Sequence, residues 1–291
     1  PAARMKTERG ALASLLGGCV IFGTIGLFIR QIPLAAPAIA AVRGISGALL
    51  LLPMLLGKRD SLRFSGREWA RLVASGAVLG LNWVLLFLAY QYVSVAVASL
   101  CNYLAPILVI LVSPIFFREK LTIRAGICAA MALGGMLCIS GVIGSGSAAD
   151  PRGLALALAA ALLYAALVIL NKKMTSPDGP RTVIQLAVSG LVAAPYAAAT
   201  GGFAAADMTV RGWVFLAVVC VVHTGLAYLL YFGGLRRLPA QTASLCSFVD
   251  PLTAVLTSAL LLEEPLGWTG ALGTVLILGA TAALSIKQKT D

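Results

Sequence analysis

Long apolar segments alternate with short polar connections along the whole chain. The connections carry turn-forming residues, as at 144–146 (GSG) and 176–179 (SPDG). A helix needs roughly 20 mostly apolar residues to cross the hydrocarbon core of a bilayer. The pattern therefore predicts ten transmembrane helices, which in chain order lie near 11–30, 35–56, 69–92, 95–117, 122–143, 152–171, 182–200, 210–235, 240–262 and 266–286.

The overall composition favours a bilayer over water as the solvent. Of the 291 residues, 60% are hydrophobic and 11% are charged, whereas a soluble domain is about half apolar and about a quarter charged. Ten helices joined by short loops leave no room for a soluble domain. We therefore predict an all-α membrane protein, and we interpret the first apolar segment as a retained helix and not as a signal peptide.

Lys and Arg are concentrated in alternate connections. Of the 22 Lys and Arg residues, 18 fall on one side of the predicted bundle, three fall on the other side, and Arg43 falls within a helix. Cytoplasmic loops are enriched in Lys and Arg, so both termini are predicted in the cytoplasm, with the protein in the cell inner membrane. The same topology explains the net charge of +11. The basic residues form no dense stripe with interleaved aromatic residues, so nucleic acid is not an expected partner.

The second half of the chain repeats the first. Residues 98–106 read ASLCNYLAP and residues 243–251 read ASLCSFVDP, with five of nine positions identical at an offset of 145. The matches indicate two repeats, 1–146 and 147–291, each with five helices; the alternative is chance similarity among Ala- and Leu-rich helices. Because five is odd, the second repeat is inverted in the membrane. Inverted repeats are typical of transporters, with a substrate site near the midplane.

Three ionisable residues are predicted inside the membrane, where charge is costly and a functional role is the default hypothesis. Arg43 and Asp250 lie at similar depths in helices 2 and 9, and His223 lies near the middle of helix 8. Arg43 is a candidate to bind a substrate carboxylate, and Asp250 to bind an ammonium group or a proton. The alternative is a structural ion pair between them, or solvation of each in a wet cavity. His223 is either a titratable site or a neutral hydrogen-bonding residue facing the cavity.

Aromatic and small polar residues form a second set of candidates, at helical spacing on helices that the repeat relates to each other. Together they would line an amphipathic cavity for a ligand with an apolar body and a few polar groups; the alternative for each is ordinary helix packing. On helix 3, Gly76 and Gly80 instead predict a close helix contact. The set consists of Asn82, Trp83, Asn102, Tyr103, Tyr164, Tyr228, Ser244 and Phe248, accompanied by Phe87, Tyr90, Thr224, Tyr231 and Ser247.

Motifs of ATP-driven and hydrolytic membrane proteins are missing from the sequence. It contains no GxxxxGK[ST], no HExxH and no GxSxG. The six cysteines form no CxxC pair and lie within apolar segments, so we expect free thiols and no metal or other cofactor. A single histidine leaves most acid–base schemes incomplete. The sequence thus predicts a monomeric protein that is not an enzyme and that binds a small molecule.

The duplicated unit resembles the EamA unit of the drug/metabolite transporter superfamily. In each half, a proline in the fourth helix is followed thirteen residues later by a glutamate, as Pro106 with Glu119 and Pro251 with Glu264. The chain is most similar in character to bacterial amino-acid and metabolite exporters, including the YddG-type aromatic amino-acid exporters. The resemblance implies ten helices around a central cavity, peripheral helices 5 and 10, and export. Asp250 departs from the internal symmetry, because Ala105 precedes the first proline.

The predicted function is export of amino acids, including aromatic ones, or of similar amphipathic metabolites by alternating access. A polyspecific exporter of cationic drugs is a rival that would depend on Asp250 or a glutamate. A nucleotide-sugar carrier is another, and it should have several basic residues in its cavity, where Arg43 stands alone. An integral-membrane enzyme that modifies lipids is less favoured, because no reactive constellation is present.

Overall fold

The computed structural model describes residues 2–29, 31–56, 64–93, 95–139, 150–204, 208–261 and 268–286. In the first repeat, the helices are α1 (Ala2–Ile29), α2 (Ala36–Leu56), α3 (Gly66–Ala89), α4 (Val95–Asn102), α5 (Ala105–Phe117) and α6 (Ile123–Ile139). In the second, they are α7 (Pro151–Lys173), α8 (Asp178–Ala199), α9 (Val210–Cys220), α10 (Ala227–Arg237), α11 (Ala240–Cys246), α12 (Val249–Leu261) and α13 (Trp268–Ile286). The predicted boundary between residues 146 and 147, and Glu264, lie outside the described residues.

These helices account for the ten predicted spans. Within the part of the chain that the structure describes, six helical spans are long and apolar enough to cross a membrane, and shorter apolar helices accompany them. The fold is an all-α membrane protein built from two five-span repeats. Since each repeat has an odd number of spans, the two repeats have opposite orientations in the bilayer.

Several spans begin at capping residues that fix where the helix starts. Ser65 precedes α3, and its hydroxyl accepts the backbone N–H of Glu68 at 3.3 Å. Asp150 precedes α7 and accepts the N–H of Arg152 at 2.8 Å, with Pro151 at the first helical position. Such caps satisfy N–H groups that have no partner within the helix.

Spans 4 and 9 are each broken into two helices, whereas the sequence predicted continuous helices over 95–117 and 240–262. The first break separates α4 from α5 just before Pro106, and the second separates α11 from α12 just before Pro251. Proline lacks an N–H and disfavours helical geometry in the residue before it. The breaks fall at equivalent positions of the two repeats, so they are a property of the duplicated unit.

Span 8 also departs from the predicted single helix over 210–235. A π-helical turn, Val221–Leu226, joins α9 to α10. Within it, the Thr224 hydroxyl donates to the carbonyl of Val219 at 2.9 Å, a partner five residues back. A π turn inserts one residue into a helix and rotates the next helical segment about the axis. In this chain it fixes the direction in which α10 presents its aromatic residues.

The main helix contacts join one repeat to the other and follow a pseudo-two-fold relationship. Helix α3 packs on α7 and α8, and α1 packs on α10 and α12. Helix α2 packs on its equivalent α8, and α6 packs on its equivalent α13. Because each repeat relies on the other for its partners, the two halves form one bundle. The α6–α13 pair lies at the edge, with Ile123 and Val275 well exposed toward lipid.

Glycines set the distance between the repeats at the centre of the bundle. A Cβ atom added at Gly44 of α2 would lie 2.7 Å from the Cα of Gly190 in α8. At Gly76 and Gly80 of α3, a Cβ atom would lie 2.9 Å from the Gln185 carbonyl and 2.7 Å from the Ser189 carbonyl, respectively. The predicted close contact of Gly76 and Gly80 is therefore confirmed, and α8 is their partner.

Replacement of Gly190 by alanine is expected to destabilise the protein by about 1–3 kcal/mol, because overpacking forces the backbones of α2 and α8 apart. A Cβ atom at this position would lie 2.6 Å from the backbone nitrogen of Ile45. The melting temperature of the detergent-solubilised protein is the measurement. Gly126→Ala is the matched control, since a Cβ atom there meets nothing within 4 Å. Equal melting temperatures for the two variants would contradict the role of the crossing.

Candidate substrate cavity

A cavity of about 280 Å³ lies between the two repeats. Side chains from α1, α2 and α3, from the broken spans 4 and 9, and from α7 and α10 form its walls. The lining residues are Cys19, Phe22, Ile25, Ile29, Arg43, Asn82, Trp83, Leu86, Phe87, Tyr90, Asn102, Tyr103, Pro106, Tyr164, Tyr228, Tyr231, Ser247 and Asp250. Both halves of the duplicated chain therefore contribute to one chamber.

The cavity extends toward one end of the bundle only. Its walls reach Ile29 and Tyr90, at the ends of α1 and α3. Toward the other end, a buried apolar layer that includes Leu15, Phe232 and Leu235 fills the centre. We call this filled end the basic end, because it carries the basic residues Arg71, Lys172, Arg181, Arg236 and Arg237.

Arg43 enters the cavity from α2 with one buried donor group that has no partner. Its guanidinium lies 4.5 Å from the centre of the Trp83 ring, so the ring covers one face of the cation. One terminal nitrogen, Nη2, donates to the Tyr228 hydroxyl at a long distance of 3.4 Å. The Nε group is buried and has no hydrogen-bond partner. Buried donors without partners are uncommon and point to a missing ligand or water.

Asp250 lies in the first turn of α12, directly after the break in span 9. Tyr103, from the equivalent break in span 4, lines the cavity beside Asp250. Among the ion pairs of the described residues, none joins Asp250 to Arg43. The ion pair considered from the sequence is thus not formed in this state, and both charges face the same cavity.

Tyrosine hydroxyls form a short chain along one wall. The Tyr164 hydroxyl donates to the Tyr231 hydroxyl at 3.0 Å, and the Tyr231 hydroxyl is 3.1 Å from the Ser247 hydroxyl. Phe22 packs edge-on against Tyr228, with ring centres 4.7 Å apart. The wall combines flat apolar faces with a few fixed polar groups.

An asparagine pair provides a second polar patch. The Asn82 amide donates to the Asn102 side-chain oxygen at 3.1 Å and to the Ala160 carbonyl at 2.8 Å. Asn82 is therefore fixed in one orientation by α4 and α7, and it holds Asn102 at the cavity surface.

Eight of the eleven candidate residues line the cavity, and His223, Ser244 and Phe248 do not. The π turn directs His223 toward α1, where its Nε2 is 3.0 Å from the Thr24 hydroxyl and its ring packs on Phe28. Ser244 is buried within α11. Phe248 lies in the helix break and packs toward the α6–α13 pair. At the break, Ser247 lines the cavity, whereas Ser244 and Phe248 do not.

Six apolar lining residues are absent from the candidate set, and Thr224 of that set does not line the cavity. The six are Cys19, Phe22, Ile25, Ile29, Leu86 and Pro106. The first four follow helical spacing along α1, a stripe that the sequence contains. The residue types of such a stripe do not distinguish a cavity wall from ordinary helix packing. The six cysteines are free thiols, as the sequence predicted.

Comparison with known proteins agrees with this architecture. A model described as the EamA-like transporter family matches residues 9–141 and again 151–286, once in each repeat. A crystal structure of a protein superposes with a TM-score of 0.83 at 19% identity, covering 97% of this chain and 99% of that one, which indicates the same fold.

Curated bacterial relatives match nearly the whole chain. The uncharacterized transporter YxxF of Bacillus subtilis is 29% identical over 99% of this chain and 94% of its own. The threonine/homoserine exporter RhtA of Escherichia coli K12 is 26% identical over 96% of this chain and 91% of its own. Because the family model matches both repeats, this multi-pass membrane protein belongs to the EamA-like transporter family.

Proposed function

We propose that the protein exports amino acids across the cell inner membrane and binds them as zwitterions in the central cavity. One observation carries the proposal: among the described lining residues, Arg43 is the cation and Asp250 the anion, and the two do not pair with each other. A site with one separate charge of each sign matches a ligand that also has one of each.

Arg43 is suited to bind the carboxylate. Its planar guanidinium can donate two parallel hydrogen bonds to a carboxylate, and the Trp83 ring restricts its orientation. Its buried Nε group has no hydrogen-bond partner among the protein atoms. A bound carboxylate would provide one.

Asp250 is suited to bind the ammonium group. An ionised carboxylate has two acceptor oxygens, which can take hydrogen bonds from an ammonium group. Aromatic rings in the walls add favourable faces for a cation. Charge within a membrane is retained where it serves a ligand or a pathway, and this carboxylate has no cationic side chain paired with it among the described residues.

The remaining walls suit a side chain with an apolar body. Eight aromatic residues line a chamber of about 280 Å³, which is small for a ligand pocket. They are Phe22, Trp83, Phe87, Tyr90, Tyr103, Tyr164, Tyr228 and Tyr231. The relative RhtA is named for threonine and homoserine, whereas the aromatic walls favour larger apolar side chains. We propose both classes as substrates to be compared directly.

Alternating access is the proposed mechanism. The cavity extends to one end of the bundle, and apolar side chains fill the centre of the bundle at the basic end. If the inverted halves exchange conformations, the filled end opens and the other closes. The excess of Lys and Arg supports a cytoplasmic location for the basic end and for both termini, so this structure corresponds to an outward-facing state.

A polyspecific exporter of organic cations is the second candidate, favoured by Asp250 among aromatic rings. Nucleotide sugars are a weaker fit, since their phosphates need several basic residues and Arg43 is the basic residue among the described lining.

Replacement of Arg43 by glutamine is expected to reduce saturable amino-acid flux by roughly tenfold or more, because a charge-assisted hydrogen bond of about 1.5–3 kcal/mol is lost. The measurement is counterflow of labelled threonine, homoserine and phenylalanine in liposomes. Arg211→Gln is the matched control, because Arg211 packs on Phe215 outside the cavity. Full saturable flux in Arg43→Gln, or no saturable flux of any amino acid in the unmodified protein, would contradict the proposal.

Replacement of Asp250 by asparagine is expected to reduce flux of amino acids roughly tenfold, because the ammonium group loses an ionic partner. Competition by the corresponding 2-hydroxy acids, which lack the amine, is expected to change little. An amine without a carboxylate that requires Asp250 but not Arg43 would identify the cation exporter instead. Flux should be measured at several pH values: if Asp250→Asn gives unchanged flux at each, Asp250 neither binds the amine nor carries a proton.

A further inference from the structure

The carboxylate of Glu119 binds two successive backbone N–H groups of the other repeat. Its Oε1 accepts the N–H of Ala240 at 2.7 Å, and its Oε2 accepts the N–H of Gln241 at 3.2 Å. Glu119 follows α5 of the first repeat, and Ala240 begins α11 of the second. The bonds therefore cross between the repeats, at the basic end.

The chain conformation before Glu119 is specialised for this contact. Arg118, which ends α5, has φ 57° and ψ 25°. It is the one non-glycine residue with positive φ among those that the structure describes. The left-handed region is unfavourable for a side chain other than glycine. The contacts of Glu119 give a physical reason for the sharp turn at this position.

Gln241 of α11 makes further hydrogen bonds to α5 and to the residues that follow it. Its side-chain amide donates to the Ser113 hydroxyl of α5 at 3.0 Å and to the Lys120 carbonyl at 3.1 Å. The residue is thus bonded to the first repeat through both its backbone and its side chain. Helices α5 and α11 cannot separate at this end without breaking these bonds.

Glu68 makes a parallel contact elsewhere at the basic end. Its Oε1 accepts the N–H groups of Thr175 and Ser176, each at 2.9 Å. The carbonyl of Ser176 in turn accepts a hydrogen bond from Arg236 at 3.0 Å. Glu68 and Glu119, both in the first repeat, therefore each bind a pair of backbone N–H groups of the second repeat. These hydrogen bonds are charge-assisted and so among the stronger ones.

We propose that Glu119 is a reversible clamp that keeps the basic end closed and sets the ratio between the two access states. The proposal rests on the alternating-access part of the proposed function. The bonds of Glu119 belong to the state in which the basic end is closed, and a contact made in one state only biases the equilibrium toward it. Loss of the clamp shifts the protein toward the state open at the basic end.

Glu119→Gln is the sharpest test, because it keeps the shape of the side chain but removes one of two acceptor oxygens and opposes an N–H group with an NH₂ group. The native Cys246 is the reporter, since it is buried at the end of α11, the helix whose first N–H groups Glu119 binds. The other five cysteines are replaced by serine. A membrane-impermeant thiol reagent is applied from the side of the basic end, in vesicles of known orientation.

The Cys246 labelling rate is expected to rise about tenfold in Glu119→Gln, a shift of about 1.4 kcal/mol in the ratio of states. Asp150→Asn is the matched control and should leave the rate unchanged, because the Asp150 carboxylate caps its own helix. An unchanged rate in Glu119→Gln would overturn the proposal.

A second reporter separates opening of the basic end from general loosening. Cys128 is buried where α6 packs toward α13, and in a background with Cys128 alone its labelling should not change. An equal rise at both reporters would overturn the clamp. The assay uses no substrate, so a Cys246-specific rise in a protein that moves no amino acid would support the clamp and contradict the substrate class.

Discussion

The approach of α2 to α8 at Gly44 and Gly190 determines where the two repeats meet. No Cβ atom fits at either position, so the two backbones are in direct contact in the middle of the bundle. Arg43 directly precedes Gly44, and the same crossing places the guanidinium at the depth where the halves face each other. The other contacts between the repeats, α3 with α7 and α8 and α1 with α10 and α12, are arranged around this point.

The scaffold is symmetric while its chemistry is not. The helix breaks before Pro106 and Pro251 occur at equivalent positions, and two such breaks place loop-like backbone beside the cavity, where a membrane protein tolerates it. Only the second break carries a carboxylate, since Asp250 is matched by Ala105. Tyr103 of the first break and Asp250 beside the second line the same cavity. Duplication produced the symmetric arrangement of helices, and changes at single residues produced the polar site.

The spans and the repeat were predictable because they rest on long-range averages, such as twenty apolar residues per helix and the shared ASLC segments at 98–101 and 243–246. The charged residues Arg43 and Asp250 could be assigned to the cavity because the membrane makes any other location costly. The helix break that turns Ser247 toward the cavity, and Ser244 and Phe248 away from it, was not predictable in the same way. Prolines are common in unbroken membrane helices, so Pro251 alone does not indicate a break. His223 was a candidate for the cavity but does not line it, for a related reason. The π turn rotates this part of the helix, and the apolar pattern of the sequence does not indicate that turn.

The π turn in span 8 has a consequence for the energetics of the cycle. Its counterpart in the first repeat, α3, is a regular α-helix from Gly66 to Ala89. Two halves that differ in this way cannot adopt each other's shape in full. If they exchange conformations, the two extremes of the motion differ in free energy even without a gradient or a ligand, so the carrier has a preferred resting form. The rates and apparent affinities on the two sides of the membrane would then depend partly on an inherited irregularity of one helix, whereas the gradients across the membrane set the direction of net transport.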